Sequence, residues 1–273
     1  MAAKSYLFVP GNRPERFDKA CQAGAGCVIL DLEDAVAPSA KLQARQAVRQ
    51  WLAGDKPVFV RLNGVDSDWF AADLELLDLP GLAGVVLPKA ESRAQIEALR
   101  SAMKQPLPIV PLIESALGLW HGEQIAGTPG VQRLAFGSVD FQLDLGISGD
   151  QEELLFARSQ LVLISRVCGL LPPVDGVTVA LDDESALRAD IARARKLGFG
   201  GKLCIHPKQV APTNAGFSPQ AAELAWARQV VAAAGQAQDN AVRLDGKLID
   251  RPIIERAKAL IAESESESES ESD

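Results

Sequence analysis

Only two histidines and four cysteines occur among the 273 residues, and neither set has the spacing of a metal or redox site. His121 and His206 stand far apart, without the close pairing of a zinc centre. Cys21, Cys27, Cys168 and Cys204 form no C-x-x-C pair and three lie in apolar stretches, so buried free thiols in a reducing compartment are expected. A basic excess is also missing. The formal net charge is −8, but the final ESESESESESD holds six acids and no base; without those six, thirty acids face 28 bases, a net of −2. That balance offers no positive field for nucleic acid. No apolar run reaches the ~18 residues that a membrane span needs. The opening MAAKSYLFVPGNRPER has no signal-peptide core or cleavage pattern, and a cytoplasmic location is expected. A Gly-rich phosphate loop after the first apolar run is absent too, since VPGNRPER does not fit one, and this weighs against an open doubly wound sheet.

What remains is a chain with 47% hydrophobic and 23% charged residues, enough for a substantial core. Its organising stretch is LPIVPLIES, Leu107–Ser115, apolar on almost every side chain until Glu114. Continuous apolar runs are the mark of strands buried on both faces in a parallel sheet. Eight such runs recur: Ser5–Pro10, Cys27–Leu32, Pro57–Leu62, Gly84–Pro88, Leu107–Glu114, Arg133–Asp140, Gly176–Leu181 and Lys202–His206. Amphipathic helices separate them, as at Ser92–Met103, where Ile96, Leu99 and Met103 share a face and Ser92 is placed to cap. Eight strand–helix units over about 210 residues predict a (β/α)₈ TIM barrel in the α/β class. Residues 1–212 are assigned to it. Residues 213–262 form a C-terminal helical and hairpin extension covering a barrel mouth, with Asp245-Gly246 as the hairpin turn, and 263–273 an acidic tail expected to be disordered.

In such a barrel, the loops after the strands build the active mouth. Arg13, Glu33, Asp34, Arg61, Asn63, Lys89, Glu114, Asp140, Asp182 and His206 all fall there. Glu114 and Asp140 end adjacent strands, where two carboxylates can share an oxygen-ligated divalent cation; singly, each could instead cap its following helix. Arg61 has its own structural alternative, an ion pair with Glu33 or Asp34 across neighbouring strands. Lys89 fits either a substrate anion or a solvated rim, and His206 a packed, hydrogen-bonded position.

Taken in order, LFVPGNRPERF, VILDLEDAV, VRLNG, PLIES, LAFGSVDFQLDLG, GKLCIHPKQV and DGKLIDRP closely resemble the citrate lyase β-subunit-like family, whose relatives include malyl-CoA and citramalyl-CoA lyases. The resemblance spans the chain except its acidic tail. It implies a homo-oligomer, commonly trimer-based, and Mg²⁺ held by Glu114 and Asp140, which with Arg61 also bind substrate. Glu33 and Asp34 would orient Arg61 or the waters on Mg²⁺. The implied reaction splits or forms a carbon–carbon bond in a 3-hydroxyacyl-CoA thioester, giving an acyl-CoA and a 2-keto acid. Arg61 is then a catalytic residue, and Asp250, reaching a neighbouring subunit's site, carries a proton; alone, Asp250 reads as a helix cap before Arg251-Pro252. No segment for attaching an acyl carrier occurs, so either an acyl-carrier subunit brings a citryl thioester, as in a multi-subunit citrate lyase, or free CoA thioester is used. An aldolase of free 2-keto acids and a non-catalytic CoA-ester sensor are the other readings. Val139, before Asp140, departs from the acidic or polar residue the family often has there.

Overall fold

The computed structural model describes residues 2–54, 56–236, 242–244 and 247–270. Two compact units divide the chain, Ala2–Ala215 and Gly216–Asp273.

The first unit is a closed barrel of eight parallel strands in sequence order. They are β1 (Ser5–Pro10), β2 (Cys27–Asp31), β3 (Val58–Arg61), β4 (Leu82–Leu87), β5 (Ile109–Ile113), β6 (Ala135–Phe136), β7 (Val174–Asp175) and β8 (Gly201–Cys204). Helices follow the strands, for example Lys41–Leu52, Arg93–Ser101, Leu155–Val167 and Glu184–Leu197. Ser92 closes a full capping box with Gln95 ahead of Arg93–Ser101, and Ile96 and Leu99 form its buried face. Alternate strand residues fill the barrel: Tyr6, Cys27, Ile29, Val86, Val110, Leu112, Ala135, Val174 and Leu203 form one buried cluster. Gly84 leaves room for the Phe59 ring, which would collide with any side chain at 84. Among the described residues, no helix is long and apolar enough to cross a membrane.

Two strands differ from the sequence reading. The sixth ends at Phe136, and Ser138–Leu145 is a helix, so Asp140 sits in a first helical turn instead of at a strand end. Gly137 makes the break: its N–H still joins β5 at Ile113 O (2.9 Å), while its own carbonyl accepts the first helical bond from Phe141 N (3.0 Å). The seventh is Val174–Asp175, and GVTVAL lies beyond it. There Gly176 O accepts from Lys202 Nζ and Thr178 Oγ1 donates to Asp190 (2.6 Å), so side chains take over from the ladder. Val179 is exposed. An apolar run alone does not separate a strand from a loop packed on its own residues.

In the C-terminal unit, helices Ala221–Gln236 and Arg251–Ser270 pack through Ala227, Val230, Ala234, Ile254 and Ala257, joined by Ile249. Val242–Leu244 (β9) and Lys247–Ile249 (β10) pair antiparallel. The expected Asp245-Gly246 turn lies outside the described residues. The acidic repeat, expected to lack regular structure, is helical as far as Ser270. Extending an existing helix carries no nucleation cost, and Glu is a good helix former. Residues 271–273 lie outside the description.

Candidate active site

Strand parity builds the barrel mouth. Residues 27 and 29 on β2 point into the core, and Asp31 continues that row; Phe59 leads to Arg61 on β3, and Val110 and Leu112 lead to Glu114 just past the end of β5. These side chains line a cavity of about 360 Å³ with Asp34, Asp140, Ser138, Val139 and an apolar sector of Phe8, Phe136, Val177, Leu203 and Ile205.

Arg61 lies at the centre of the polar side. Asp31, its register partner on β2, accepts from Nε at 2.7 Å and from Nη2 at 2.6 Å. Glu33 Oε2 stands 2.9 Å from Nη1, an ion pair whose angle does not make it a hydrogen bond, and Asp34 is 4.0 Å away. The guanidinium also covers the Phe8 ring at 4.7 Å. Burial opposes its charge, but the Asp31 and Glu33 carboxylates outweigh that and raise its pKa. Thus the ion pair with Glu33 and Asp34 is real, and Asp31, which the sequence reading left out, makes the stronger one. An acid inside the apolar run VILDL was the available signal.

Glu114 is buried at the cavity wall. Its Oε1 accepts from the Lys89 backbone N–H at 2.6 Å, whereas Oε2 has no partner among the described residues. Gly137 makes this placement possible, since a Cβ there would lie 2.5 Å from Oε2. Burial, with the Glu33 charge adding to it, pushes the Glu114 carboxyl up to about 8. Asp140 is half-buried and also raised, first by desolvation and then by Asp34. Burial likewise raises Glu33, against the pull of Arg61. An unpartnered, buried carboxylate oxygen beside a second carboxylate is a donor set for a hard cation such as Mg²⁺, which keeps several waters and substrate oxygens in its shell. Among the described residues, no three His, Cys, Asp or Glu side chains converge on one metal position.

Lys41 was also missed. Its buried ammonium donates to the carbonyls of Leu32 (2.7 Å) and Glu33 (2.8 Å) and to Asn63 Oδ1 (2.6 Å), which fixes the turn carrying Glu33 and Asp34. Asn63 is thereby a scaffold group. Arg13, Asp182 and His206 stay outside the cluster: Arg13 faces Glu15, Asp182 faces Lys208, and His206 Nδ1 accepts from Lys208 N. Asp250 belongs to the C-terminal unit, is exposed, and caps its last helix, with Oδ1 3.4 Å from Ile253 N.

Residues 4–207 match the HpcH/HpaI aldolase/citrate lyase family. Two relatives from Cereibacter sphaeroides differ in named chemistry. One is an L-malyl-CoA/beta-methylmalyl-CoA lyase, 34% identical over 94% of this chain and 93% of its own. The other is a (3S)-malyl-CoA thioesterase, 33% identical over 96% and 94%. Among solved structures, the protein CitE from Mycobacterium tuberculosis, in complex with magnesium, acetoacetate and coenzyme A, is 33% identical over 96% of this chain and 98% of its own, with a TM-score of 0.86.

Proposed function

Because this chain belongs to the HpcH/HpaI aldolase/citrate lyase family, we propose that it is a Mg²⁺-dependent lyase splitting a 3-hydroxyacyl-CoA thioester into an acyl-CoA and a 2-keto acid. The observation that carries the reading is the buried Glu114 Oε2, unpartnered among the described residues, in the cavity shared by Asp140 and Arg61.

Glu114 and Asp140 would hold the ion, which supplies Lewis acidity to the substrate's hydroxyl or keto oxygen and offsets its carboxylate charge. In cleavage between the hydroxyl-bearing carbon and the thioester α-carbon, the hydroxyl proton passes to solvent, its oxygen forms the new carbonyl, and the electron pair of the broken bond stays on the α-carbon, delocalised onto the thioester oxygen. Arg61 answers that charge. Two of its N–H groups go to Asp31 and Nη1 faces Glu33, so of five donors two are left for a substrate oxygen. Its clamps hold it before charge develops, so little reorganisation is needed at the transition state. The α-carbon must then gain a proton. By the family resemblance, Asp250 of a neighbouring copy in a trimer-based oligomer delivers it.

A second reading, hydrolysis of the same thioester, is favoured by the malyl-CoA thioesterase relative. One assay separates them. Malyl-, citramalyl- and citryl-CoA are incubated with MgCl₂ while 2-keto acid and free thiol are measured separately. Keto acid without thiol supports the lyase, and thiol without keto acid overturns it in favour of hydrolysis. Glu114→Gln and Asp140→Asn should each abolish turnover and weaken Mg²⁺ binding in calorimetry. Unchanged Mg²⁺ affinity in both would misplace the metal. Co-purification with an acyl-carrier subunit would assign the chain to a multi-subunit citrate lyase.

A further inference from the structure

Among the described residues, Lys89 is the one non-glycine residue with positive φ, at 47°. For a lysine that left-handed conformation is unfavourable, and such strain persists only where the surrounding fold imposes it. The β4–β5 ladder shows the cause. Val85 pairs with Ile109, Val86 with Val110 and Leu87 with Pro111, and Val85 N donates to Pro108 O at 2.9 Å. Continued by two residues, that register would pair Lys89 with Ile113 and send its N–H to Leu112 O. Instead Ala90 N takes Leu112 O, at 3.2 Å. Lys89 is therefore the extra residue of a bulge, and its N–H is released from the sheet.

Both ends of the released residue are used. The N–H meets Glu114 Oε1 at 2.6 Å, and Nζ meets Glu33 Oε1 at 3.0 Å. Glu33 faces Arg61 with its other oxygen. Glycine would take this backbone without strain and would keep the N–H, but it has no ammonium. We propose that Lys89 is a positioning residue of the active site: its bulged backbone holds Glu114 by one oxygen, and its ammonium fixes Glu33 against Arg61. The inference rests on the lyase reading above.

The test compares Lys89→Gly, Lys89→Met and Lys89→Arg with the parental protein. Acetyl-CoA condensation with glyoxylate or pyruvate in MgCl₂ gives kcat and KM, calorimetry gives Mg²⁺ affinity, and melting gives stability. Lys89→Gly should melt no lower than the parental protein and hold Mg²⁺ within about threefold, because the N–H on Glu114 survives. Its kcat should fall at least about tenfold with KM changed much less, Lys89→Met should fall as far, and Lys89→Arg should recover most of the loss. Lys89→Met and Glu33→Gln should be strongly non-additive in kcat, as residues acting as one unit are. A Lys89→Gly enzyme with parental kcat overturns the proposal, as does an equal loss in all three variants or simple additivity with Glu33→Gln. A parental protein without Mg²⁺ binding or turnover overturns the lyase reading and this inference together, which sets that failure apart from the others.

Discussion

Asp31 and Arg61 face each other across β2 and β3 as register partners, joined by two hydrogen bonds of 2.7 and 2.6 Å. Asp31 also accepts from the Glu33 backbone N–H at 2.9 Å, so one buried carboxylate orients the arginine and shapes the turn carrying Glu33. Removing one partner leaves a buried charge uncompensated, at a cost of about 3–5 kcal/mol. Asp31→Asn should therefore lower stability by an amount of that order in urea unfolding and reduce turnover. Arg61→Lys, which keeps the charge without the planar fork, should lose turnover more than stability. Parental stability in Asp31→Asn would show that the arginine is held by Glu33 alone.

Burial raises the Glu114 carboxyl to about 8 in the metal-free protein. An acid raised on folding binds its proton better in the folded state. Its stabilising contribution is complete below the ordinary carboxylate range and is lost as pH climbs towards 8. At about 1.4 kcal/mol per unit, the effect is on the order of a few kcal/mol. The Tm of metal-free Glu114→Gln minus that of the parental protein should thus rise between pH 4.5 and 8. Mg²⁺ binding near pH 7 should release a proton, read by calorimetry in buffers of different ionisation enthalpy. A Tm difference independent of pH would exclude Glu114 as the titrating group.

Gly137 stands against Glu114 where a methyl group would meet Oε2. Gly137→Ala should displace the carboxylate and reduce Mg²⁺ affinity and turnover about tenfold or more. Its backbone φ of −86° suits alanine, but the methyl group would also meet the Glu114 Cβ at 2.5 Å, so a modest loss of Tm should accompany the effect. Calorimetry together with a melting curve checks this; normal Mg²⁺ affinity in the variant would mean that Glu114 is not held in this pose for the metal.

Asp250 caps the helix beginning at Arg251, and Asn caps as well as Asp. Asp250→Asn should therefore leave the Tm within about a degree while turnover falls about a hundredfold, the lower range for a general acid–base group. After subunit exchange, mixing it with Arg61→Ala should restore part of the activity if the two residues serve one site from different copies. A fully active Asp250→Asn protein would leave the aspartate only its cap.

The sequence by itself determined the repeat of apolar runs separated by amphipathic helices, and with it the expectation of a barrel, because strands buried on both faces read as continuous apolar runs. It also determined that Glu114, Arg61 and the acids after Leu32 meet at one mouth, since period-two alternation carries each inward row to its strand end. Tertiary structure decided the rest. That Asp31 takes the Nε–Nη2 edge of Arg61 while Glu33 faces only Nη1 depends on the β2–β3 register, which barrel closure sets. The helical placement of Asp140 depends on Gly137 leaving the sheet beside Glu114. The left-handed Lys89 depends on one residue slipping out of the β4–β5 ladder. Each is a relation between strands distant along the chain, fixed only when their hydrogen bonds compete for the same carbonyls, and no local pattern in the sequence records that competition.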